Sequence, residues 1–128
     1  MSEPKFRLVF FDVDSTLVTI EGIDELAAGN REIARLTEAA MNGEIPLDEV
    51  YGKRLEIIKP TRADIEKLAQ KYIASLVEGA EETIATLKKN GTRVHLVTAG
   101  VEQAIAPLAR RLNVTMDAVS LQLSLIHI

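Results

Sequence analysis

Two aspartates that directly follow a run of apolar residues are the part of this sequence best suited to chemistry. Leu8 to Phe11 form the run LVFF, and Asp12 and Asp14 come next, separated by one residue. Such a run is typical of a strand that is buried on both faces in a parallel sheet covered by helices. Because ligands bind beyond the carboxyl ends of parallel strands, we expect the two carboxylates to face a pocket.

Two carboxylates at this spacing favour two kinds of chemistry. Their mutual repulsion is relieved best by a hard cation with oxygen ligands, so Mg²⁺ is the expected metal, held by Asp12 and Asp14. A carboxylate can also act as a nucleophile and form an aspartyl-phosphate intermediate. The alternative is a turn in which Asp14 and Ser15 bond their own backbone. The short motif alone leaves these interpretations open.

Val94, Leu96 and Val97 predict another core strand, and a helical pattern follows over residues 101–112. Thr98, Ala99 and Gly100 lie between them, at a helix N-terminus where free backbone N–H groups attract anions. The Thr98 hydroxyl can donate to a phosphate oxygen, and the two small residues let a ligand approach the backbone. The alternative is an ordinary strand-to-helix connection in which Thr98 caps the helix.

The long stretch of residues 17–77 has the periodicity of consecutive helices with no strand between them. Thr61 and Asp64 predict a capping box at the start of one of these helices. A run of helices does not fit a simple alternation of strands and helices, and an inserted helical unit explains it. We therefore predict an α/β fold in which residues 1–16 and 78–128 form the parallel-sheet core and residues 17–77 form an insertion.

Composition restricts the classes of function. The chain has 128 residues, the size of one domain, with a net charge of −4 and a pI near 5.2, which argue against nucleic acid or an anionic membrane as a partner. It has no cysteine, which excludes a disulfide framework, a thiolate metal site and a cysteine nucleophile. The sequence has neither a signal-peptide pattern nor an apolar run near the ~20 residues that span a bilayer, so a cytoplasmic protein is expected.

Three segments resemble one family. FFDVDSTLVTIEGIDELA, residues 10–27, resembles the first signature of the haloacid dehalogenase-like phosphatases, and more narrowly that of the phosphoserine phosphatase family. Residues 39–68 resemble the family's cap segment, and residues 88–100 resemble its second signature. The similarity extends over residues 6 to about 117. It implies a Rossmann-like parallel-sheet core and a helical cap that closes over the substrate.

The resemblance also implies an activity, namely Mg²⁺-dependent hydrolysis of O-phospho-L-serine in serine biosynthesis, through an aspartyl-phosphate intermediate. In that family the residue at Asp12 is the nucleophile and the one at Asp14 is the general acid and base. Thr98, Ala99 and Gly100 occupy the positions that bind phosphate. The family most often has Ser-Gly-Gly there, and this chain keeps a hydroxyl followed by two small residues.

Glu21, Met41 and Arg54 match positions that surround the substrate in phosphoserine phosphatases. Glu21 can pair with the amino group of phosphoserine, and Arg54 can bind its carboxylate with two hydrogen bonds. The alternative is that the two charged residues are solvated and that Met41 belongs to the core. Tyr51 and Tyr72 are interpreted as half-buried helix residues.

The sequence also departs from the family. The third signature, a lysine, and the fourth, an acidic pair, have no match, and after about Val119 the sequence LQLSLIHI stops resembling the family. We therefore expect a truncated core and little or no activity from residues 1–128 alone. Three functions stay open: a phosphoserine phosphatase, a related phosphatase or phosphotransferase for another small phosphorylated metabolite, and a catalytically incomplete fragment or binding module.

Overall fold

The structure is a computed structural model, and it describes residues 4–118. Strands and helices alternate irregularly along these residues. In chain order they are β1 (Leu8–Asp12), α1 (Gly22–Leu26), α2 (Arg31–Met41), α3 (Leu47–Ile58), α4 (Arg62–Ala74), α5 (Ala80–Lys89), β2 (Arg93–Thr98), α6 (Glu102–Leu112) and β3 (Thr115–Ala118). An irregular turn at Val13–Leu17 joins β1 to the helices. Within the described range, no helix is long and apolar enough to cross a membrane.

The three strands of the described residues form one parallel sheet in the order β1-β2-β3. Asp12 at the end of β1 is opposite Val97 in β2, and Leu96 is opposite Met116 in β3. The helices α5 and α6 supply buried residues to the same core as the sheet. The α/β fold with a parallel sheet is therefore confirmed, and its strand ends lie at one edge.

The prediction that β1 is buried on both faces is wrong. Leu8 and Phe10 are 40% and 58% exposed, whereas Phe11 packs against the core. In the described sheet β1 pairs with β2 alone, and the core cluster lies on the face that carries Phe11 and its partner Leu96. A continuous apolar run therefore did not distinguish a strand covered on two faces from one covered on a single face.

Between β1 and α5 the described chain forms helices α1 to α4, as the periodicity predicted. Both ends of this segment lie side by side, because Val18 and Leu76 form an antiparallel bridge and the N–H of Val77 donates to the carbonyl of Leu17 at 3.0 Å. A segment inserted into a domain must leave and re-enter that domain at neighbouring points, and this segment does so. The division into a core and a cap at residues 17–77 stays a prediction, and the LQLSLIHI segment lies outside the described residues.

The predicted capping box at the start of α4 is confirmed. The backbone N–H of Asp64 donates to the Thr61 hydroxyl oxygen at 3.1 Å, and the N–H of Thr61 donates to the Asp64 carboxylate at 2.9 Å. The pKa of Asp64 is lowered, chiefly by the hydrogen bond from the Thr61 backbone and then by the Thr61 side chain. The box thus satisfies donors that a helix start otherwise leaves unpaired.

Removing the box is expected to destabilise the fold. Thr61→Ala should lower the free energy of unfolding by about 1 kcal/mol at pH 7, the usual cost of losing such a cap. Because the pKa of Asp64 lies below its ordinary value of 3.8, its ionised form contributes fully above that pH, and the contribution is lost as the pH falls through the lowered pKa. Urea unfolding of wild type and Asp64→Asn should therefore differ at pH 7, and the difference should shrink as the pH falls below 3.8. A difference that does not shrink on acidification would contradict this account.

Candidate active site

The carboxyl ends of β1 and β2 bring the predicted acidic and phosphate-binding residues together. Asp12 ends β1, opposite Val97, and Thr98 is the last residue of β2. The Asp14 carboxylate lies directly above Gly100, so close that a methyl group on Gly100 would overlap its Oδ2. The same methyl group would lie 3.1 Å from the Thr98 hydroxyl oxygen. The two predicted signatures thus form one site.

Asp12 has an exposed side chain at the point where β1 ends. Its Oδ2 accepts a hydrogen bond at 3.0 Å from the hydroxyl of Thr16, which the irregular turn brings back toward the strand. Ser15 within that turn has a φ of 57°, in the left-handed region that few non-glycine residues adopt. The turn therefore fixes the direction of the Asp12 carboxylate and leaves it accessible to a ligand.

Asp14 has a different environment. Its Oδ1 accepts hydrogen bonds from the backbone N–H of Gly22 at 2.8 Å and from the hydroxyl of Tyr72 at 2.6 Å. Tyr72 is completely buried on α4, and a methyl group on Gly22 would overlap its hydroxyl. Only glycine at this position leaves room for the tyrosine ring. Two neighbouring aspartates in unlike environments can take different chemical roles.

The turn after β2 is built around Thr98, which is 1% exposed. Its hydroxyl oxygen accepts the backbone N–H of Gly100 at 2.8 Å, so the side chain shapes the turn. The alternative that Thr98 caps the helix is wrong, because the residue that precedes α6 is Val101. The hydroxyl hydrogen remains available to a ligand. Val101 precedes α6 and has no side-chain group that could cap it, so the first N–H groups of that helix can bind an anion.

The three predicted substrate residues lie around α1. Glu21 directly precedes this helix and accepts a hydrogen bond at 2.6 Å from the Ser15 hydroxyl. Arg54 on α3 has Nη1 3.9 Å from Oδ1 of Asp24, in the middle of α1. Met41 ends α2 and lines a groove together with Asp24. It is 81% exposed, so the alternative that placed it in the core is wrong.

Tyr72 is the site residue that the sequence did not reveal. It was expected to be half-buried, and that prediction is wrong, because the side chain is fully buried and donates to Asp14. Leu68, Ala69 and Tyr72 form the buried face of α4. A hydroxyl on such a face needs a hydrogen-bond partner, which was the available signal, but periodicity does not identify that partner. The side chain of Tyr51 lies outside the described residues.

The donor atoms at this site suit a hard cation. Asp12 offers carboxylate oxygens, and the backbone carbonyl of Asp14 offers another oxygen, which are the ligands that Mg²⁺ prefers. In the described part of the chain, no group of three or more His, Cys, Asp or Glu side chains is arranged to hold a metal. These residues therefore fit Mg²⁺ as part of a ligand set.

The α/β core has two aspartates at the end of one strand and a turn with a hydroxyl group at the end of the neighbouring strand. This arrangement is expected of a hydrolase that transfers phosphoryl groups. The model of the haloacid dehalogenase-like hydrolase family matches residues 9–122, and the chain belongs to that family. The phosphoserine phosphatase of Methanocaldococcus jannaschii is 38% identical over 87% of this chain and 54% of its own length. The chain spans about half the length of the curated relatives that it matches.

Two solved structures are similar in fold as well as in sequence. A substrate-bound phosphoserine phosphatase complex has a TM-score of 0.70 and 32% identity, covering 91% of this chain and 57% of the other. A phospho-aspartyl intermediate analogue of phosphoserine phosphatase has a TM-score of 0.67 and 35% identity, covering 90% of this chain and 56% of the other. The similarity therefore extends over nearly all of the chain.

Proposed function

We propose that the protein is a Mg²⁺-dependent phosphomonoesterase that hydrolyses O-phospho-L-serine to L-serine and phosphate. The observation that carries the proposal is the contrast between the exposed Asp12 and the tightly held Asp14, both beside the turn that begins at Thr98. The names of the relatives support this substrate, and the phospho-aspartyl analogue supports a covalent intermediate.

In the first step, an Asp12 carboxylate oxygen attacks phosphorus and the bond from phosphorus to the seryl oxygen breaks. The product on the enzyme is an acyl phosphate. Asp14 donates its proton to the departing alkoxide, which leaves as the serine hydroxyl. Because Oδ1 of Asp14 already accepts two hydrogen bonds, Oδ2 is the oxygen available to carry that proton.

In the second step, water attacks the phosphorus of the acyl phosphate. Asp14, now a carboxylate, accepts a proton from this water, and the bond between phosphorus and the Asp12 oxygen breaks. Phosphate is released, Asp12 is again a carboxylate and Asp14 is again protonated. One group therefore serves as acid and then as base, and the enzyme returns to its starting state.

The remaining groups compensate charge and position the phosphoryl group, which is the main source of catalysis in phosphoryl transfer. The hydroxyl of Thr98 and the first N–H groups of α6 donate to the non-bridging oxygens. The Asp12 carboxylate and the Asp14 carbonyl would hold Mg²⁺, whose positive charge would stabilise the negative charge on those oxygens. Closure of the helical segment over the site would exclude bulk water.

Substrate selection is assigned to Glu21, Met41 and Arg54. The Nε of Arg54 is buried and has no hydrogen-bond partner among the residues that the structure describes. Its 3.9 Å separation from Asp24 is too long for a hydrogen bond, so the guanidinium keeps donors for a ligand. Such a group suits the carboxylate of phosphoserine, while the carboxylate of Glu21 suits its ammonium group.

Substitutions at these residues should change substrate preference. In the extended protein, meaning this chain completed with the part of its relatives' length that it does not span, Glu21→Gln or Arg54→Ala should reduce kcat/KM for phosphoserine roughly 10- to 100-fold. The first change removes the negative charge that pairs with the ammonium group, and the second removes the donors to the carboxylate. Turnover of p-nitrophenyl phosphate, which lacks both groups, should change less than about twofold.

Lys53→Ala is the matched control, because Lys53 is an exposed cation next to Arg54 on the same helix and pairs only loosely with Glu49, at 4.0 Å. This variant should leave both substrates unaffected. If phosphoserine turnover is unchanged in both the Glu21 and the Arg54 variants, phosphoserine is not the substrate, although the phosphatase chemistry of Asp12 would stand.

A further inference from the structure

We propose that Tyr72 is a positioning residue for the acid–base group, and that it selects Oδ2 of Asp14 as the oxygen that exchanges the proton. The inference rests on the proposed function, in which Asp14 protonates the leaving serine. It adds a residue from a distant helix to that chemistry, 58 positions along the chain from Asp14.

The two oxygens of Asp14 are not equivalent. Oδ1 accepts from the hydroxyl of Tyr72 at 2.6 Å and from the backbone N–H of Gly22 at 2.8 Å. A carboxylate oxygen has two lone-pair directions, so these donors occupy both of them. Proton exchange at Oδ1 would require one of the hydrogen bonds to break. Oδ2 instead lies above Gly100, beside the turn assigned to the phosphate.

Packing fixes the direction of the Tyr72 hydroxyl. The side chain has no exposed surface and belongs to the main core cluster. Its hydroxyl lies against the Cα of Gly22, where even a methyl group would overlap it. The ring therefore has no space to swing away from Asp14, and the carboxyl group is held in one orientation. A hydrogen bond between a hydroxyl and a carboxylate is also stronger than one between neutral groups.

The same helix is tied to the phosphate side of the site. Helix α4, which carries Tyr72, packs along α6, and α6 begins directly after the turn of Thr98 and Gly100. Tyr72 belongs to the segment predicted to form the cap, residues 17–77, whereas Asp14 belongs to the predicted core. The orientation of the acid group therefore depends on how that segment is seated against the core.

The test uses the extended protein and compares two substrates, one whose leaving group needs a proton and one whose leaving group does not. Tyr72→Phe keeps the ring and removes only the donor. It should reduce kcat/KM for phosphoserine about 10-fold, because a hydrogen bond to a charged group is lost and the poor leaving group needs the proton. For p-nitrophenyl phosphate, whose leaving group departs without a proton, kcat/KM should change less than about twofold. Leu68→Val, on the same buried face of α4, should show no such difference between substrates.

A double-mutant cycle with Asp14→Ala tests whether Tyr72 acts through Asp14. In the Asp14→Ala background, Tyr72→Phe should have no further effect on kcat/KM for phosphoserine. The shifts in urea midpoint should likewise be smaller in the double variant than the sum of the single shifts, since the same hydrogen bond is lost only once. This second readout does not require activity.

The outcomes separate the inference from the proposed function. The role of Tyr72 would be overturned if Tyr72→Phe lowered kcat/KM equally for the two substrates, or lowered neither. It would also be overturned if the effects of the Tyr72 and Asp14 substitutions were additive. None of these results would contradict the proposed phosphatase activity. If the wild-type protein releases no phosphate from either substrate, the proposed function fails. In that case the catalytic role of Tyr72 fails with it, and the urea cycle tests only the hydrogen bond between Tyr72 and Asp14, which additive midpoints would contradict.

Discussion

Replacing Asp12 with Asn is expected to abolish phosphate release from O-phospho-L-serine, with a loss of roughly 10⁵-fold or more, as when a covalent nucleophile is removed. The amide keeps the shape of the carboxylate, and its oxygen can still accept from the Thr16 hydroxyl. It has no anionic oxygen to attack phosphorus, so the acyl phosphate does not form. Colorimetric phosphate release by the extended protein, with Mg²⁺ present, measures the effect.

The control for this substitution is Asp64→Asn, an equivalent exchange in the capping box of α4. It should change stability but leave turnover at the wild-type rate, because Asp64 lies at the start of a helix and bonds to Thr61. Retention of more than a few per cent of activity by Asp12→Asn would show that another group attacks phosphorus.

Replacing Asp14 with Asn is expected to reduce kcat/KM for phosphoserine roughly 10²- to 10⁴-fold, the range typical of general acid–base catalysis. The amide cannot pass a proton to the serine oxygen. With p-nitrophenyl phosphate the first step should be nearly normal, since that leaving group needs no proton. The second step should remain slow, because no base accepts the proton of the attacking water. Rapid acid quenching and mass spectrometry should then show accumulated phosphoprotein.

A matched comparison is Asp117→Asn, which changes an exposed aspartate on β3 whose side chain is 69% accessible. No phosphoprotein should accumulate in that variant. If Asp14→Asn slows both substrates equally in the first step and accumulates no phosphoprotein, the two-step acid and base role assigned to Asp14 is wrong.

Much of the fold followed from local patterns. The helices between β1 and α5, the capping box of Thr61 and Asp64, and the strand that ends at Thr98 were all predicted, because periodicity and caps are local properties. The meeting of Asp14 with Gly100 also followed, since parallel strands place their carboxyl ends at one edge. These features depend on few residues and on general rules of chain geometry.

The rest depended on contacts between distant residues. The exposed face of β1, with Phe10, depends on which helices cover the sheet, and an apolar run does not encode that. The exposure of Met41 depends on where α2 ends relative to its neighbours. Tyr72 bonds to a residue 58 positions away, so its partner became evident only when α4 was placed against the turn after β1. Each miss concerns the environment of a residue whose helix or strand was correctly predicted.

In the proposed mechanism, Asp12 carries the phosphoryl group during turnover. Incubating the extended protein with O-phospho-L-serine and Mg²⁺, quenching it and reducing it with borohydride would convert an aspartyl phosphate into homoserine at that position. Peptide mass spectrometry should find homoserine at residue 12 only when substrate is present, and none in Asp12→Asn. Steady phosphate release without modification at residue 12, or with modification at another residue, would contradict the account.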